Sequence, residues 1–193
     1  MLGLTLLTDP RWANIAEDNL EEILTDHAWC EQKAASNAIS LITNNPEHTD
    51  LVHELTAIAI EEMQHFQLVI DIIKQRGYTL GRERKDDYVN QLMKFSKKDG
   101  SRNTAFIDRL LFAAMIEARS CERFRVLSQH IRDKELAKFY YDLMVSEANH
   151  YTTFLNFARK YTIDVDVEKR WREWLAFENE LIQSYGTKEQ IHG

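Results

Sequence analysis

Two short stretches of this chain, Glu62-x-x-His65 and Glu147-x-x-His150, each set a carboxylate and an imidazole three residues apart. On a helix that spacing puts both side chains on one face, where they can grip a single metal ion. Either pair alone is weak, because chance gives about 0.7 such spacings in a chain of this composition. A third copy, Glu189-x-x-His192, sits in the tail and illustrates the chance case. The first two rise above it by register. Each follows, at a nearly equal interval, a lone acid in an apolar setting: Glu31 among Ala28, Ala34, Ala35 and Ala38, and Glu117 between Ala114 and Cys121. An ionised carboxylate on a buried face needs a proton or a cation. The resulting pseudo-repeat of Glu, then Glu-x-x-His, collects Glu31, Glu62, His65, Glu117, Glu147 and His150. Such a set neutralises two divalent ions and leaves positions open for oxygen, with iron the best fit and manganese the second.

The competing reading pairs the acids with Lys33, Arg119 or Arg123 and makes the histidines hydrogen-bonded core. It serves any one residue as well as the metal reading does, but it gives no reason for a repeated, in-register set. His27, one turn before Glu31, is either a partner of that acid or a capped or solvent-facing side chain. Glu122 is assigned to a neighbouring arginine, and Tyr140, Tyr151 and Phe154 to the core rather than to a substrate pocket.

The elements that must position these residues are helices. Glycine and proline are scarce, at 6 and 2 residues, which suits long helices. Asp9 and Pro10 predict a short opening helix. Apolar stripes at helical spacing, Leu20, Leu24, Ala28, Ala35, Ala38 and Ile42 and then Leu51, Leu55, Ile58, Phe66, Val69 and Ile73, predict long helices over 17–43 and 47–76, closed by Asn44, Asn45 and Pro46 and by Gly77, with further long helices over 103–130 and 133–161. Short loops make each pair antiparallel. A polar, basic connection over 78–102, with a short amphipathic piece over 88–95, separates the pairs. A last helix over 164–185 carries Trp171, Trp174, Leu175, Glu178 and Ile182, and Gly186 onward reads as frayed. Two helical hairpins joined by one long crossover is ferritin-like connectivity, so the expected fold is an all-α, ferritin-like four-helix bundle with extra N- and C-terminal helices. Carboxylates paired with Glu-x-x-His motifs are the ligand type of di-iron proteins of that fold.

The length of 193 residues predicts one domain over 1–193. Cys30 and Cys121 match neither a zinc ribbon nor a disulfide framework, so the expected setting is the reducing cytoplasm. LGLTLL is too short for a membrane span and lacks a signal peptide's cationic lead. The net charge of −7 offers no global attraction to a polyanion, but residues 74–109 hold ten Lys or Arg against five Asp or Glu. Arg82, Arg84, Lys85, Lys94, Lys97, Lys98 and Arg102 are therefore candidate phosphate contacts, with Tyr88 and Phe95 as candidate base-stacking rings. An ordinary solvated connection is the alternative.

The segments DHAWCEQKAAS around Glu31, EEMQHF around Glu62 and His65, IEARSCERF around Glu117, and SEANHY around Glu147 and His150 resemble, in order and spacing, those of the bacterial tRNA hydroxylases acting on 2-methylthio-N6-isopentenyladenosine beside the anticodon. The resemblance covers most of the chain. It implies a non-haem di-iron monooxygenase that hydroxylates the isopentenyl group, with two iron ions, O2 as co-substrate and tRNA as substrate. No flavin fingerprint or iron–sulfur cysteine cluster is present, so electrons are expected from a separate reductase or ferredoxin. Two rivals remain: a ferritin- or rubrerythrin-like protein handling iron or peroxide, and a metal-free helical interaction module.

Overall fold

The computed structural model describes residues 2–97, 100–185 and 191. Within them the chain folds as seven helices without a strand: α1 Trp12–Asp18, α2 Leu20–Asn44, α3 Thr49–Gln75, α4 Asp87–Phe95, α5 Arg102–His130, α6 Lys134–Tyr161 and α7 Val167–Tyr185. None is long and apolar enough to cross a membrane. The chain divides into two compact units, one of residues 18–85 with Ile191, the other of residues 2–17, 86–97 and 100–185.

In the first unit α2 and α3 pack along their lengths as an antiparallel hairpin. The turn between them is short, and Asn45 closes α2 by donating its side-chain amide to the Leu41 carbonyl at 2.8 Å. Leu24, Ala28, Ala35 and Ala38 of α2 meet the predicted burial, as do Leu51, Leu55, Ile58, Val69 and Ile73 of α3. Leu20, Ile42 and Phe66 are only half-buried. Gly77, at φ +72°, ends α3 in a Schellman turn in which the Tyr78 amide reaches Ile73 O at 3.0 Å and the Gly77 amide reaches Lys74 O at 3.1 Å.

The start of the long connection is strapped along α2. The Thr79 amide donates to Glu21 Oε1 at 3.1 Å, the Gly81 amide to Thr25 Oγ1 at 3.3 Å, and Trp29 Nε1 to Gly81 O at 3.0 Å. A Cβ on Gly81 would stand 3.1 Å from Thr25 Cγ2, so a residue without one lets the strap lie this close.

In the second unit α5 and α6 form the other long antiparallel pair, and α4 and α7 pack against α5. Ser101 caps α5 by accepting from the Thr104 amide at 3.0 Å, and Asp133 caps α6 by accepting from the amides of Glu135 and Leu136 at 3.0 and 3.1 Å. Helix α5 is buried almost all round, and its charged residues find partners inside. Asp108 takes two bonds from Arg170 of α7, at 2.8 and 2.7 Å, and one from the Lys97 amide at 2.6 Å. Arg119 binds Glu178 of α7 and Glu122.

Two sequence expectations change here, and a third, the role of Asp9, holds. Tyr88 cannot stack a base, because it is wholly buried with its hydroxyl on Glu178 Oε1 at 3.2 Å. Phe95 is stacked on Phe177, with centroids 4.3 Å apart, beneath the Arg170 guanidinium. Asp9 serves as the expected helix-start signal: its Oδ1 accepts from the Arg11 amide and its carbonyl from the Trp12 amide, both at 2.9 Å, and the Arg11 side-chain and backbone hydrogen bonds hold its pKa at about 2. The frayed tail and the Glu189-x-x-His192 copy lie outside the described residues, except that Ile191 is buried with its amide 2.8 Å from Asp26 Oδ2.

Candidate metal centre

Each hairpin builds one half of the predicted ligand set. In the first unit α2 presents Glu31 and α3 presents Glu62 and His65, all buried. One donor atom from each of the three lies within 4.8 Å of the others. His65 Nδ1 stands 3.5 Å from Glu31 Oε2 and 3.6 Å from Glu62 Oε2. In the second unit α5 presents Glu117 and α6 presents Glu147 and His150, again buried. Their donor atoms also lie within 4.8 Å of one another, with His150 Nδ1 3.6 Å from Glu147 Oε2.

These separations carry chemical information. They exceed the usual N–H···O distance of about 2.7–3.2 Å. Two donors each about 2.1 Å from one ion, at a right angle or wider, stand about 3 Å or more apart. Each triad thus has the spacing of ligands around a shared cation, and two carboxylates with one imidazole is a donor set that suits a divalent first-row metal. The residues present fit the group that the sequence implies.

His27 resolves in favour of Glu31. It is fully buried one helical turn earlier, and its Nε2 lies 2.6 Å from Glu31 Oε1. Lys33, considered as an ion-pair partner for the acids, is taken by Glu83 at 3.1 Å. Glu122 behaves as expected of a non-ligand. It accepts from Arg119 at 3.1 Å, from Arg125 at 3.4 Å and from the Thr8 amide at 3.1 Å. Cys121 donates its Sγ hydrogen to Met144 O at 3.2 Å, and burial, then the charges of Glu147 and Glu122, push its pKa up to about 12. It is a packed thiol rather than a nucleophile.

The candidate phosphate contacts divide between the units. Arg82, Arg84 and Lys85 are exposed on the strap over α2, where Arg84 pairs with Glu22. Lys94, Lys97 and Arg102 are exposed in the other unit, and Lys98 lies outside the described residues. No carboxylate among the described residues pairs with Arg82 or Lys97. The buried set of Arg119, Glu122, Glu178 and Tyr88 was missed as a unit, because residues far apart in sequence carry no local signal of pairing.

The sequence model of the MiaE family, tRNA-(MS2IO6A)-hydroxylase, matches residues 3–193. This chain belongs to that family. Among curated proteins, the tRNA 2-(methylsulfanyl)-N(6)-isopentenyladenosine(37) hydroxylase of Pseudomonas putida is 37% identical over 185 residues, which is 96% of this chain and 89% of the relative. The protein of the same name from Salmonella typhimurium is 26% identical, over 96% of this chain and 85% of its own length. Among solved structures, a Synechococcus protein with aldehyde deformylating oxygenase activity is similar at a TM-score of 0.90, with 29% identity, covering 98% of this chain and 95% of the other. The all-α fold of this MiaE-family chain is thus ferritin-like, as its two-hairpin connectivity predicts.

Proposed function

We propose that this chain hydroxylates the isopentenyl side chain of 2-methylthio-N6-isopentenyladenosine next to the tRNA anticodon, as an O2-dependent di-iron monooxygenase. One observation carries the reading: the family match runs from residue 3 to 193 and includes both buried acid–histidine triads. In this reading residues 1–193 form a single ferritin-like domain whose ligand set, Glu31, Glu62, His65, Glu117, Glu147 and His150, holds two iron ions. Bound iron would supply activation of O2, so that one oxygen atom enters an allylic C–H bond and the other leaves as water, with two electrons and two protons consumed.

The protein's share is placement and exclusion. The carboxylates balance the metal charge and the imidazoles set its field, while Ala28, Ala35, Ala114 and Leu143 on the same helices are buried and keep bulk water from the reacting carbon. Electrons come from a separate reductase or ferredoxin, because two cysteines cannot build a four-cysteine iron–sulfur centre. The cytoplasm, where tRNA is modified, is the matching location. Arg82, Arg84, Lys85, Lys94, Lys97 and Arg102 are exposed cations offered to phosphates, and Lys98 completes the proposed set.

The test is nucleoside mass analysis of tRNA from a strain that makes the thiomethylated isopentenyl nucleoside but lacks a hydroxylase. Expression of this chain should convert that nucleoside to its hydroxylated form, and the Glu117→Ala variant should not. Persistence of the unhydroxylated nucleoside beside soluble, iron-loaded protein would reject the substrate. An aldehyde, tested in parallel because of the Synechococcus neighbour, should not be consumed.

A further inference from the structure

With Tyr88 buried and Phe95 covered by Phe177 and Arg170, a base-stacking role falls to a ring that still meets solvent beside an open cation. Of the 4 tryptophans, Trp12 and Trp174 are 0% exposed and Trp171 is 6% exposed, whereas Trp29 is only half-buried. Its ring packs against Phe66, also half-buried, with centroids 6.1 Å apart and planes tilted by 50°. That tilted pairing steadies both rings. Trp29 Nε1 donates to Gly81 O of the strap at 3.0 Å, in a bond exposed to solvent.

The residue after Gly81 is Arg82, exposed and paired with no carboxylate among the described residues. Residues 82–85 hold three cations against one acid. The ring pair also stands at the height of the first triad. Trp29 is two residues from Glu31 along α2, and Phe66 follows His65 on α3. At a rise of about 1.5 Å per residue, both rings lie within about 3 Å of the triad's level along the hairpin. A solvent-facing aromatic ring next to an open guanidinium suits single-stranded nucleic acid, whose bases offer flat faces and whose phosphates offer charge.

We infer, on the reading that tRNA is the substrate, that Trp29 stacks a base of the anticodon loop close to the target nucleoside while Arg82 holds an adjoining phosphate. The Gly81 carbonyl orients the indole before RNA arrives, so little freedom is lost when a base settles on it. The same strap residue ties the ring to the cation that follows it in sequence, so base and backbone of one strand are gripped together.

The test is titration of the iron-loaded protein, in the absence of oxygen, with tRNA carrying the unhydroxylated nucleoside, for the wild type and for Trp29→Phe, Trp29→Leu and Arg82→Ala. Affinity and tryptophan emission are both read. Phenylalanine keeps a ring and should bind within about threefold of wild type. Trp29→Leu should bind about 5–150-fold more weakly, the equivalent of one lost stack, with the salt slope unchanged. Arg82→Ala should instead lower that slope by about one phosphate contact. Because the other tryptophans are buried, tRNA should quench wild-type emission and leave that of Trp29→Phe unaltered, which a ring that only braces the strap would not produce. Should leucine loosen the strap, seen as a lower melting temperature, wild-type quenching and the phenylalanine variant decide the question. Wild-type affinity in Trp29→Leu would overturn the inference, as would wild-type emission that tRNA leaves unchanged. A wild type that binds no tRNA would instead overturn the substrate reading.

Discussion

Arg119 of α5 donates both Nε and Nη2 to a single oxygen of Glu178 on α7, at 2.8 and 2.5 Å, with both side chains out of contact with solvent. The same oxygen accepts from Tyr88 of α4, and Arg119 also reaches Glu122 and the Leu6 carbonyl. One arginine thereby joins the N-terminal segment, α4, α5 and α7 of its unit. Burial raises the Glu178 pKa, and the Arg119 charge and hydrogen bond oppose that rise.

Removing one partner of a buried pair strands the other. Glu178→Ala should therefore destabilise the protein by about 3–5 kcal/mol, read as a lower denaturant midpoint. The iron content of whatever remains folded should be unchanged. A variant as stable as wild type would mean that the surroundings hydrate or repack around Arg119.

Glu117→Ala should hold no more than one iron per chain, and Glu122→Ala, which alters an acid five residues on, should hold two. Anomalous scattering at the iron edge from loaded crystals should give two peaks about 3.5–4 Å apart in the wild type. Stripping the iron should lower the melting temperature, since a ligand that binds only the native state stabilises it. A metal-free module predicts no such shift and no loss on changing Glu117.

The Cys121 thiol offers a pH test. Its folded pKa is raised from 9.0 to about 12, so between those values the native state holds a proton that the unfolded state has released. Its contribution to stability is complete below pH 9 and falls away as pH rises through 12. The alkaline decline in denaturant stability should be shallower for Cys121→Ala than for wild type, and the native thiol should resist alkylating reagents at pH 8–9. Rapid labelling there would contradict the packing against Met144 O.

For tRNA binding, the long connection carries both neutralised and open cations. Arg82→Ala and Lys97→Ala should each weaken binding and reduce the salt slope by about one phosphate contact. Arg84→Ala should do less, because Glu22 already occupies its guanidinium. Identical effects of all three would remove these ion-pair differences from the account.

Much of the fold was legible because helix signals are local. The α3 stop at Gly77, the Asp133 cap of α6 and the short α4 can be read from neighbouring residues, whose backbones must satisfy their own hydrogen bonds. The ends of predicted stripes were less legible. Leu20 and Ile42 have helical spacing, yet they are only half-buried near the ends of α2, where Ile23 and Leu41 take the buried positions instead. Tyr88 has the polar tip and ring of a base-stacking residue, but whether that ring meets solvent or Glu178 depends on an element ninety residues away.

The sequence alone determined the helices, their pairing and the register that places Glu31, Glu62 and His65 on one pair and Glu117, Glu147 and His150 on the other, because periodicity fixes which side chains share a face. Sequence neighbours already offered Glu122 an arginine, but only the tertiary structure decided the partner of Glu178. Glu122 and Glu178 are as interior as Glu31, yet Arg119 satisfies them, while the triads bring acids and imidazoles to ligand spacing. A buried carboxylate is neutralised by whichever partner the packing delivers, and that partner is set by three-dimensional proximity rather than by distance along the chain.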